Sequence, residues 1–375
     1  MVWFFLLTGE NLVLAQAELE TVINALGISG WLINSFEKRV VYLKFEDEET
    51  QKFTQQIEQV HQIVERLCLT HFSAFQFFSM EFSGKKDPVK LLRNLKAGIN
   101  RKLANYAIPN GQSFAVRAER IGKANEIPFP GIKLEREIGG IFHSKFQNIR
   151  VDLSNPDVLI KIVVSKRGIW IGVPVIACKR KEIMSRKASK RPFFHPSAME
   201  PILAHAMMNL AITNVNATIL DPFSGTGSFL IEGAVQGHMV IGTDRNKAMI
   251  FGSKRNLAKF HQRSKGEILL GDARYLPFKT NSFAAIVTDP PYGTAASTEG
   301  EQLNILFEKF LIEAKRVLKI GGRLVISGPS YLSLVEMGKQ AALSFVNKFS
   351  SYVHRSLTRQ IIVFEKVKKI SEKNS

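Results

Sequence analysis

The first half of the chain alternates short apolar runs with stretches of helical periodicity. The run Val2–Leu7 predicts a strand, and apolar residues three and four apart after Asn11, with Gly27 as a stop, predict a helix. A second strand and helix follow. Asp87-Pro88 then opens a helix in which proline occupies the first turn, where no amide hydrogen bond is lost. Downstream, the pattern predicts a helix over 131–142 and strands over 113–122, 149–153, 158–164 and 168–177.

Regular alternation of strands and helices begins at Ala198. A helix around 198–213 leads into the strand Thr218–Leu220. Later apolar runs, each separated by a helix-length segment, end at Thr243, Leu270, Thr288 and Ser327. This spacing predicts an α/β fold with a doubly wound parallel sheet. In such sheets ligands bind at the carboxyl ends of the strands, near the point where strand order reverses.

Basic side chains outnumber acidic ones, and the excess is concentrated in one part of the 375-residue chain. Lys and Arg total 51 against 33 Asp and Glu, a formal net charge of +18. Residues 1–83 hold 5 basic and 11 acidic side chains, residues 84–191 hold 24 and 8, and residues 192–375 hold 22 and 14. A basic segment this dense favours nucleic-acid binding over a merely solvated face. The candidate RNA-binding residues are Lys90, Arg93, Arg101, Lys102, Arg117, Arg120 and Lys123.

Cysteine content and hydropathy bear on the location of the protein. Two cysteines, Cys68 and Cys178, are too few for a disulfide framework or a thiolate metal site, so we expect a reducing, cytoplasmic setting and no metal. No basic residue precedes Val2–Leu7, and this run is far shorter than the ~20 residues that a membrane span needs. We therefore expect no membrane association.

An acidic residue followed by a glycine-containing turn ends the first strand of the second half. The segment Asp221–Phe229 reads DPFSGTGSF, in which Gly225 and Gly227 permit positive φ and a close approach of the backbone to a ligand. The glycine pair alone is equally consistent with an ordinary turn. Because the Asp221 carboxylate would repel a pyrophosphate, and no Gly-Lys-Ser/Thr follows, the pattern disfavours a dinucleotide site or a P-loop.

Two further carboxylates end the next two strands. Asp244 lies 23 residues after Asp221, where an acidic side chain can accept hydrogen bonds from both hydroxyls of a ribose. Asp272 follows the third strand and can accept a hydrogen bond from an adenine amino group. Each carboxylate could instead cap the helix that follows it. Three of them in series favour a cationic adenosine cofactor, S-adenosylmethionine.

The fourth strand of the sheet ends in the sequence TDPPYG. Pro290 and Pro291 fix their own φ and restrict the residue before them, so Asp289 lies on a stiff, extended support. Asp289 and a proline carbonyl can accept the two N–H groups of an exocyclic amine and orient its lone pair toward an electrophilic methyl group. Tyr292 offers a ring on which a base flipped out of its helix can stack.

These motifs, in this order, resemble those of class I S-adenosylmethionine-dependent amino-methyltransferases: DPFSGTGSF, GTDRN, GDAR and TDPPYG. Residues 113–177 resemble a THUMP domain, an RNA-binding module of tRNA-modifying enzymes. Together with RPFFHPSAMEPILAHAMMNLA and the late segment HRSLTRQIIVFEK, the combination is similar to the archaeal tRNA guanosine-10 N2-methyltransferases and their eukaryotic relatives.

The resemblance implies a Rossmann-like methyltransferase sheet preceded by a ferredoxin-like and THUMP region. The expected bounds are 1–50 for the ferredoxin-like region, 51–178 for the THUMP domain, 179–192 for a basic linker and 193–375 for the methyltransferase domain. It implies catalysis by Asp289, Pro290, Pro291 and Tyr292. The expected cofactor-binding residues are His195, Asp221, Ser224, Gly225, Thr226, Gly227, Asp244, Arg245, Asp272, Ala273 and Asp289.

The target nucleotide is the least constrained part of this interpretation. Related guanosine-6 enzymes tend to carry Asn at the position of Asp289, which favours guanosine 10 of tRNA over guanosine 6 or ribosomal RNA. DNA adenine methylation shares the DPPY chemistry, but the THUMP-like half disfavours it. A non-catalytic RNA-binding adaptor is a further alternative, which the intact carboxylates disfavour. The number of methyl groups added, and the need for a small activating protein partner as in eukaryotic relatives, stay open.

Overall fold

The computed structural model describes most of the chain. The described residues are 2–35, 37–46, 53–82, 87–102, 111–123, 126–127, 129–146, 148–212, 214, 216–260, 266–292, 297–354 and 357–368, without the side chains of 88, 100–102, 297–302, 352–354 and 357. The chain forms two compact units. The first comprises Met1–Leu12, Ile28–Glu65 and Thr70–Cys178, and the second comprises Val13–Gly27, Arg66–Leu69 and Lys179–Ser375.

The chain begins with a βαββαβ order of elements. They are β1 (Trp3–Leu7), α1 (Leu12–Ala25), β2 (Gly30–Asn34), β3 (Val40–Phe45), α2 (Phe53–Arg66) and β4 (Thr70–Glu81). All five residues of β1 are buried, because this strand lies inside the sheet between β3 and β4. The four strands are antiparallel in the order β2-β3-β1-β4, which is the ferredoxin-like arrangement.

Six more elements extend this sheet in the first unit. They are α3 (Pro88–Lys102), β5 (Ser113–Arg120), α4 (Gly131–Lys145), β6 (Arg150–Val151), β7 (Val158–Val164) and β8 (Gly168–Ala177). Because β8 pairs antiparallel with β4, all the strands so far form one eight-stranded sheet, in the order β2-β3-β1-β4-β8-β7-β5-β6. The strand β4, which completes the ferredoxin-like order, lies beyond residue 50 and therefore within the range expected for the THUMP domain. The expected domain bounds stay a prediction.

The second unit contains a seven-stranded sheet with helices between its strands. Its further elements are α5 (Arg180–Met184), a 3-10 turn (Ala188–Lys190), α6 (Pro201–Ala211), β9 (Thr218–Asp221), α7 (Ser228–Val235), β10 (Met239–Asp244), α8 (Lys247–Phe260), β11 (Glu267–Leu270), β12 (Phe283–Thr288), α9 (Ser297–Val317), β13 (Leu318–Pro329), α10 (Leu334–Gln340), β14 (Ser344–His354) and β15 (Leu357–Glu365). The helix α9 contributes Phe307, Phe310 and Leu311 to the core on one face of the sheet.

The strand order of this sheet is β11-β10-β9-β12-β13-β15-β14. The first five strands are parallel, as predicted, and the order reverses between β9 and β12. The last two strands differ from the prediction of a wholly parallel sheet, because β15 pairs antiparallel with both β13 and β14. The architecture is the Rossmann-like α/β fold, with its ligand crevice expected at the carboxyl ends of β9 and β12.

The segment 179–192, predicted from its composition to be a basic connector, contains two buried arginines. Arg186 and Arg191 are 4% and 6% exposed. One edge of the Arg186 guanidinium binds Glu232 in α7, with Nε and Nη2 at 2.9 and 2.7 Å from the two carboxylate oxygens. The positive charge of this segment therefore does not mean that its side chains are exposed to solvent, because a buried acidic partner lies elsewhere in the sequence.

None of the helices in the described part of the chain combines the length and the apolar composition that a bilayer-spanning segment needs.

Candidate active site

Three acidic side chains lie at the carboxyl ends of neighbouring strands in the second unit. Asp221 is the last residue of β9 and Asp244 the last residue of β10, while Asp289 directly follows β12. Because β9 lies between β10 and β12, its carboxylate has an acidic neighbour on either side. The strand order reverses at β9 and β12, so the three side chains line the crevice where this fold binds ligands.

Asp221 is a buried carboxyl group with one oxygen that has no partner. Its side chain is 1% exposed, and Oδ1 accepts hydrogen bonds from Thr288 Oγ1 at 2.8 Å and Phe223 N at 3.2 Å. Oδ2 accepts none from the residues that the structure describes. Burial, with the nearby charges of Asp244 and Asp289, raises the pKa of Asp221 to about 8. The carboxyl group is therefore suited to a cationic ligand, which would favour its ionised form.

The turn after β9 depends on glycine at two positions. Gly225 has φ of 46° and Gly227 has φ of 81°, in the left-handed region that residues with a Cβ rarely adopt. A Cβ on Gly227 would also lie 3.1 Å from the Cβ of Ser253 in α8. Asp244 Oδ2 accepts a hydrogen bond from Gly225 N at 2.9 Å, so the second carboxylate holds the turn. Ser224 Oγ is buried and, among the described residues, has no partner.

The third acidic residue of the predicted cofactor set is paired within its own loop. Both oxygens of Asp272 contact the guanidinium of Arg274, with the shortest distance 2.6 Å to Nη2. This hydrogen bonding lowers the pKa of Asp272. Arg245 approaches it at 3.7 Å but is 69% exposed, and Ala273 is buried. An adenine amino group would therefore share Asp272 with an existing partner.

The segment before α6 is fixed to the glycine-containing turn. Asn256 Nδ2 donates to the carbonyls of Phe193 and Thr226, both at 3.0 Å, and its Oδ1 accepts from Phe193 N at 2.9 Å. Arg191 Nη1 lies 3.4 Å from Thr226 Oγ1. His195, predicted to contact the cofactor, is partly buried and binds Ser197 Oγ through Nδ1 at 2.7 Å.

Asp289 is held by two hydroxyl groups and a guanidinium. Its Oδ1 accepts hydrogen bonds from Tyr292 Oη and Ser327 Oγ, and its Oδ2 lies 3.4 Å from Arg359 Nη2. Pro290 is buried. The carboxylate thus has a fixed direction at the end of β12, as the double proline predicts.

Tyr292 points into this network through its hydroxyl group. Its oxygen accepts a hydrogen bond from Arg359 Nε at 2.8 Å, and the guanidinium carbon lies 5.6 Å from the ring centroid. Burial and the Asp289 charge raise the pKa of Tyr292, so the phenol stays protonated at neutral pH. The predicted stacking of a base on this ring is limited to the area that Arg359 leaves open. Pro291 is exposed beside it.

Ser327, Arg359 and Tyr331 contact Asp289 or Tyr292 but were not among the site residues predicted from the sequence. Arg359 in β15 lies 67 positions from Tyr292, and Tyr331 donates its hydroxyl to the Tyr292 carbonyl at 3.1 Å. The ring of Tyr331 is 63% exposed at the rim of the site. The basic residue within HRSLTRQ was the available signal for Arg359, but antiparallel pairing of β15 with β13 is needed to bring it to Asp289.

The predicted RNA-binding residues that the structure describes belong to the first unit. Lys90 and Arg93 are exposed on α3, and Arg120 and Lys123 are exposed at and after the end of β5. Arg117 differs, because it donates to the carbonyls of Val116 and Leu153. The side chains of Arg101 and Lys102 lie outside the described residues.

The arrangement suits transfer of a cationic group to an amine. Asp221 provides a buried acceptor for positive charge. Asp244 accepts one backbone N–H on each oxygen, from Asn246 and Gly225, and each oxygen keeps a second lone-pair site. Asp289, with the carbonyl of Pro290 beside it, can accept N–H groups of an acceptor amine. Among the described residues, no group of three His, Cys, Asp or Glu side chains is placed to hold a metal ion.

Comparison with known proteins assigns both parts of the chain to described domains. A family model for an RMKL-like methyltransferase domain matches residues 188–361, and a model for the THUMP domain matches residues 92–173. The curated tRNA (guanine(10)-N2)-dimethyltransferase of Pyrococcus abyssi is 36% identical over 307 residues, which cover 81% of this chain and 86% of the relative. The corresponding protein of Methanocaldococcus jannaschii is 28% identical over 97% of this chain and 99% of the relative.

More distant matches include a second curated methyltransferase and a solved structure. A tRNA (guanine(6)-N2)-methyltransferase of Methanocaldococcus jannaschii is 26% identical over 58% of this chain and 67% of the relative. The crystal structure of TrmN from Thermus thermophilus superposes with a TM-score of 0.56 at 22% identity, over 98% of this chain and 100% of that chain. The latter similarity establishes the fold.

Proposed function

This chain belongs to the family of tRNA (guanine(10)-N2)-dimethyltransferases, and we propose that it methylates the exocyclic N2 of guanosine 10 in tRNA. It is an S-adenosylmethionine-dependent tRNA guanine-N2-methyltransferase. The observation that carries the proposed mechanism is the position of Asp289 at the end of β12, next to β9, where Asp221 has a carboxyl oxygen with no partner among the described residues. One carboxyl group faces the charge of the cofactor, and the other faces the acceptor amine.

The residues at the carboxyl edge fit S-adenosylmethionine. Asp221 Oδ2 and Ser224 Oγ are buried acceptors without partners in the described chain. We assign Asp221 to the cationic methionine part and Asp244 to the ribose hydroxyls, with His195, Thr226, Arg245 and Ala273 as flanking contacts. When bound, the cofactor supplies an electrophilic methyl group, whose C–S bond breaks with both electrons left on sulfur.

Asp289 compensates for the weak nucleophilicity of the guanine amine. The N2 lone pair is delocalised into the ring, so the amine must be rotated and hydrogen-bonded for attack. Asp289 accepts one N–H and the carbonyl of Pro290 accepts the other, which directs the lone pair at the methyl group and stabilises the positive charge that develops on N2. The proton released from N2 after transfer passes to water.

The exposed basic residues of the first unit are the proposed contacts to tRNA phosphates. Lys90, Arg93, Arg120 and Lys123 lie in or beside the segment that matches the THUMP model, and all four are exposed. Phosphate contacts of this type position the substrate without reading its sequence. We infer a cytoplasmic site of action, where tRNA is available; the need for an activating protein partner stays a prediction.

Replacement of Asp289 tests the mechanism. In Asp289→Ala the amine loses its principal acceptor, so methyl incorporation from labelled S-adenosylmethionine into tRNA should fall by about 1,000-fold or more. Binding of S-adenosylmethionine, measured by calorimetry, should change by less than about threefold, because Asp289 contacts the acceptor side. Glu336→Ala, at an exposed residue of α10, is the control and should keep full activity. Turnover of Asp289→Ala above about a tenth of the wild-type rate would contradict the mechanism.

A further inference from the structure

Arg359 makes more contacts within the active site than its position at the end of the chain would suggest. Its Nη2 lies 3.4 Å from Asp289 Oδ2, its Nε donates to Tyr292 Oη at 2.8 Å, and its Nη1 lies 3.2 Å from Met199 Sδ. The side chain is 14% exposed, so the ion pair is largely shielded from water. These contacts fix the guanidinium in one orientation.

The hydrogen bond from Arg359 also sets the direction of the Tyr292 hydroxyl. Because the phenol oxygen accepts a hydrogen bond from Arg359 Nε, its own hydrogen is free to be directed at Asp289 Oδ1. Ser327 Oγ donates to the same oxygen. Hydrogen bonds therefore run from Arg359 to Tyr292 and from Tyr292 to the catalytic carboxylate, so the orientation of Asp289 depends on Arg359.

Counting acceptor sites shows what is left for a substrate. Each oxygen of a carboxylate offers about two lone-pair sites. Oδ1 of Asp289 is filled by the hydroxyls of Tyr292 and Ser327, whereas Oδ2 contacts only Arg359 among the described residues. Within this part of the chain, one acceptor site on Oδ2 stays open. The direction of this acceptor site depends on the plane of the carboxylate. Arg359 contacts Oδ2 directly and Oδ1 through Tyr292.

We propose that Arg359 is the positioning residue for Asp289, orienting the open acceptor site of Oδ2 toward the amino group of the target guanine. The proposal rests on the proposed function. Arg359 also supplies a positive charge in a crevice where Asp221, Asp244 and Asp289 are close enough to affect one another. Without Arg359, the Asp289 carboxylate loses this nearby positive charge.

A second arginine in the same strand pair provides a matched control. Arg323 in β13 pairs with Glu365 in β15 at 3.4 Å and is 21% exposed, so its distance and burial are similar to those of the Arg359–Asp289 pair. The two pairs lie at opposite ends of the β13–β15 register, where Arg323 faces Glu365 and Pro329 faces Arg359. Loss of an arginine ion pair from this pair of strands can thus be separated from loss of the contact to Asp289.

The test compares Arg359→Met, Arg359→Lys and Arg323→Met in the full-length protein. For Arg359→Met we expect kcat for methylation of a tRNA transcript to fall about 100-fold, because a misdirected acceptor acts in the transition state. KM for tRNA and the calorimetric Kd for S-adenosylmethionine should stay within about threefold of wild type. Arg359→Lys keeps the charge but loses the planar fork, so it should recover part of kcat. Arg323→Met should keep wild-type kcat.

The following results would contradict the role of Arg359 or the proposed function. A wild-type kcat in Arg359→Met, or a rise in KM with kcat unchanged, would show that Arg359 does not position the carboxylate. Equal losses of kcat in Arg359→Met and Arg323→Met would assign the effect to the pairing of β13 with β15 and would also overturn the proposal. If Arg359→Met does not fold, a wild-type kcat in Arg359→Lys would contradict the role of the fork. A wild-type protein that binds the cofactor but methylates no tRNA would refute the proposed function itself, and this role with it.

Discussion

At the scale of single residues, the unusual group in the site is the Asp221 carboxyl. It is buried at the end of β9 with one oxygen hydrogen-bonded and the other without a partner among the described residues. An unpaired buried acceptor costs folding free energy and is retained where a ligand completes it. The cationic cofactor is the group that would do so.

The raised pKa of Asp221 predicts a proton change on cofactor binding. With a pKa of about 8 the carboxyl group is mostly neutral at pH 7, and a bound cation favours its ionised form. Binding of S-adenosylmethionine should therefore release most of one proton at pH 7, and progressively less as pH rises through 8, because the free protein then ionises without the ligand. Calorimetry at pH 7 in buffers of different ionisation enthalpy measures this number.

Asp221→Asn is the control for that measurement. It has no titratable group at this position and retains an oxygen that can accept from Thr288 Oγ1. We expect the release to disappear and the affinity for the cofactor to fall. The assignment of Asp221 would be wrong if the wild-type protein released no proton at pH 7, or if the variant released as many as the wild type.

The site residues that could be predicted are those whose place follows from local sequence. Asp221, Asp244 and Asp289 directly end or follow apolar strands, so the strand pattern alone places them at one edge of the sheet. Arg359 and Tyr331 depend on how the final antiparallel strands pair and on which side chains then meet. Long-range pairing of this type has no local signal in one sequence.

At the scale of elements, hydrophobic periodicity predicted most helices and strands of the regular α/β regions. The strands β7 and β8 have the predicted bounds, and β9 ends one residue later than expected. The bounds of these strands could be predicted because buried parallel or central strands are nearly continuous apolar runs. The segment 179–192 was harder to interpret, since its charges suggested solvent exposure.

The helices α5, α6 and α7 meet at a buried charge cluster. Glu232 in α7 is fully buried, binds Arg186 through both oxygens, and contacts His205 Nδ1 at 2.9 Å. His205 Nε2 lies 2.9 Å from the Arg66 carbonyl oxygen and 3.1 Å from the Gln236 amide nitrogen. Burial acts to raise the pKa of Glu232, but the hydrogen bonds from Arg186 and His205 outweigh it and lower the pKa.

Removal of this charge should destabilise the second unit. In Glu232→Gln the guanidinium of Arg186 keeps its burial but loses its counter-charge, so the free energy of unfolding in urea should fall by about 3–5 kcal/mol. Glu336→Gln, whose partner Lys339 is exposed on α10, should change it by less than about 0.5 kcal/mol. A loss below about 1 kcal/mol in Glu232→Gln would show that the cluster is not a structural charge pair.

At the scale of the whole molecule, the chain consists of an α/β region matching the THUMP model and a Rossmann-like methyltransferase region. The uneven charge of the sequence corresponds to this division, because residues 84–191 carry 24 of the 51 basic side chains and include the THUMP match. The acidic cofactor edge lies in the other region. One part is therefore suited to a polyanion and the other to a cation.

The central claim is methylation of N2 at guanosine 10, and mapping the product tests it most directly. An unmodified tRNA transcript would be incubated with the protein and labelled S-adenosylmethionine, digested with nucleases, and analysed by mass spectrometry for methylated fragments and nucleosides. We expect N2-methylguanosine or N2,N2-dimethylguanosine at position 10, and none there in a transcript that carries adenosine at that position. Methylation at guanosine 6, or at an atom other than N2, would contradict the claim.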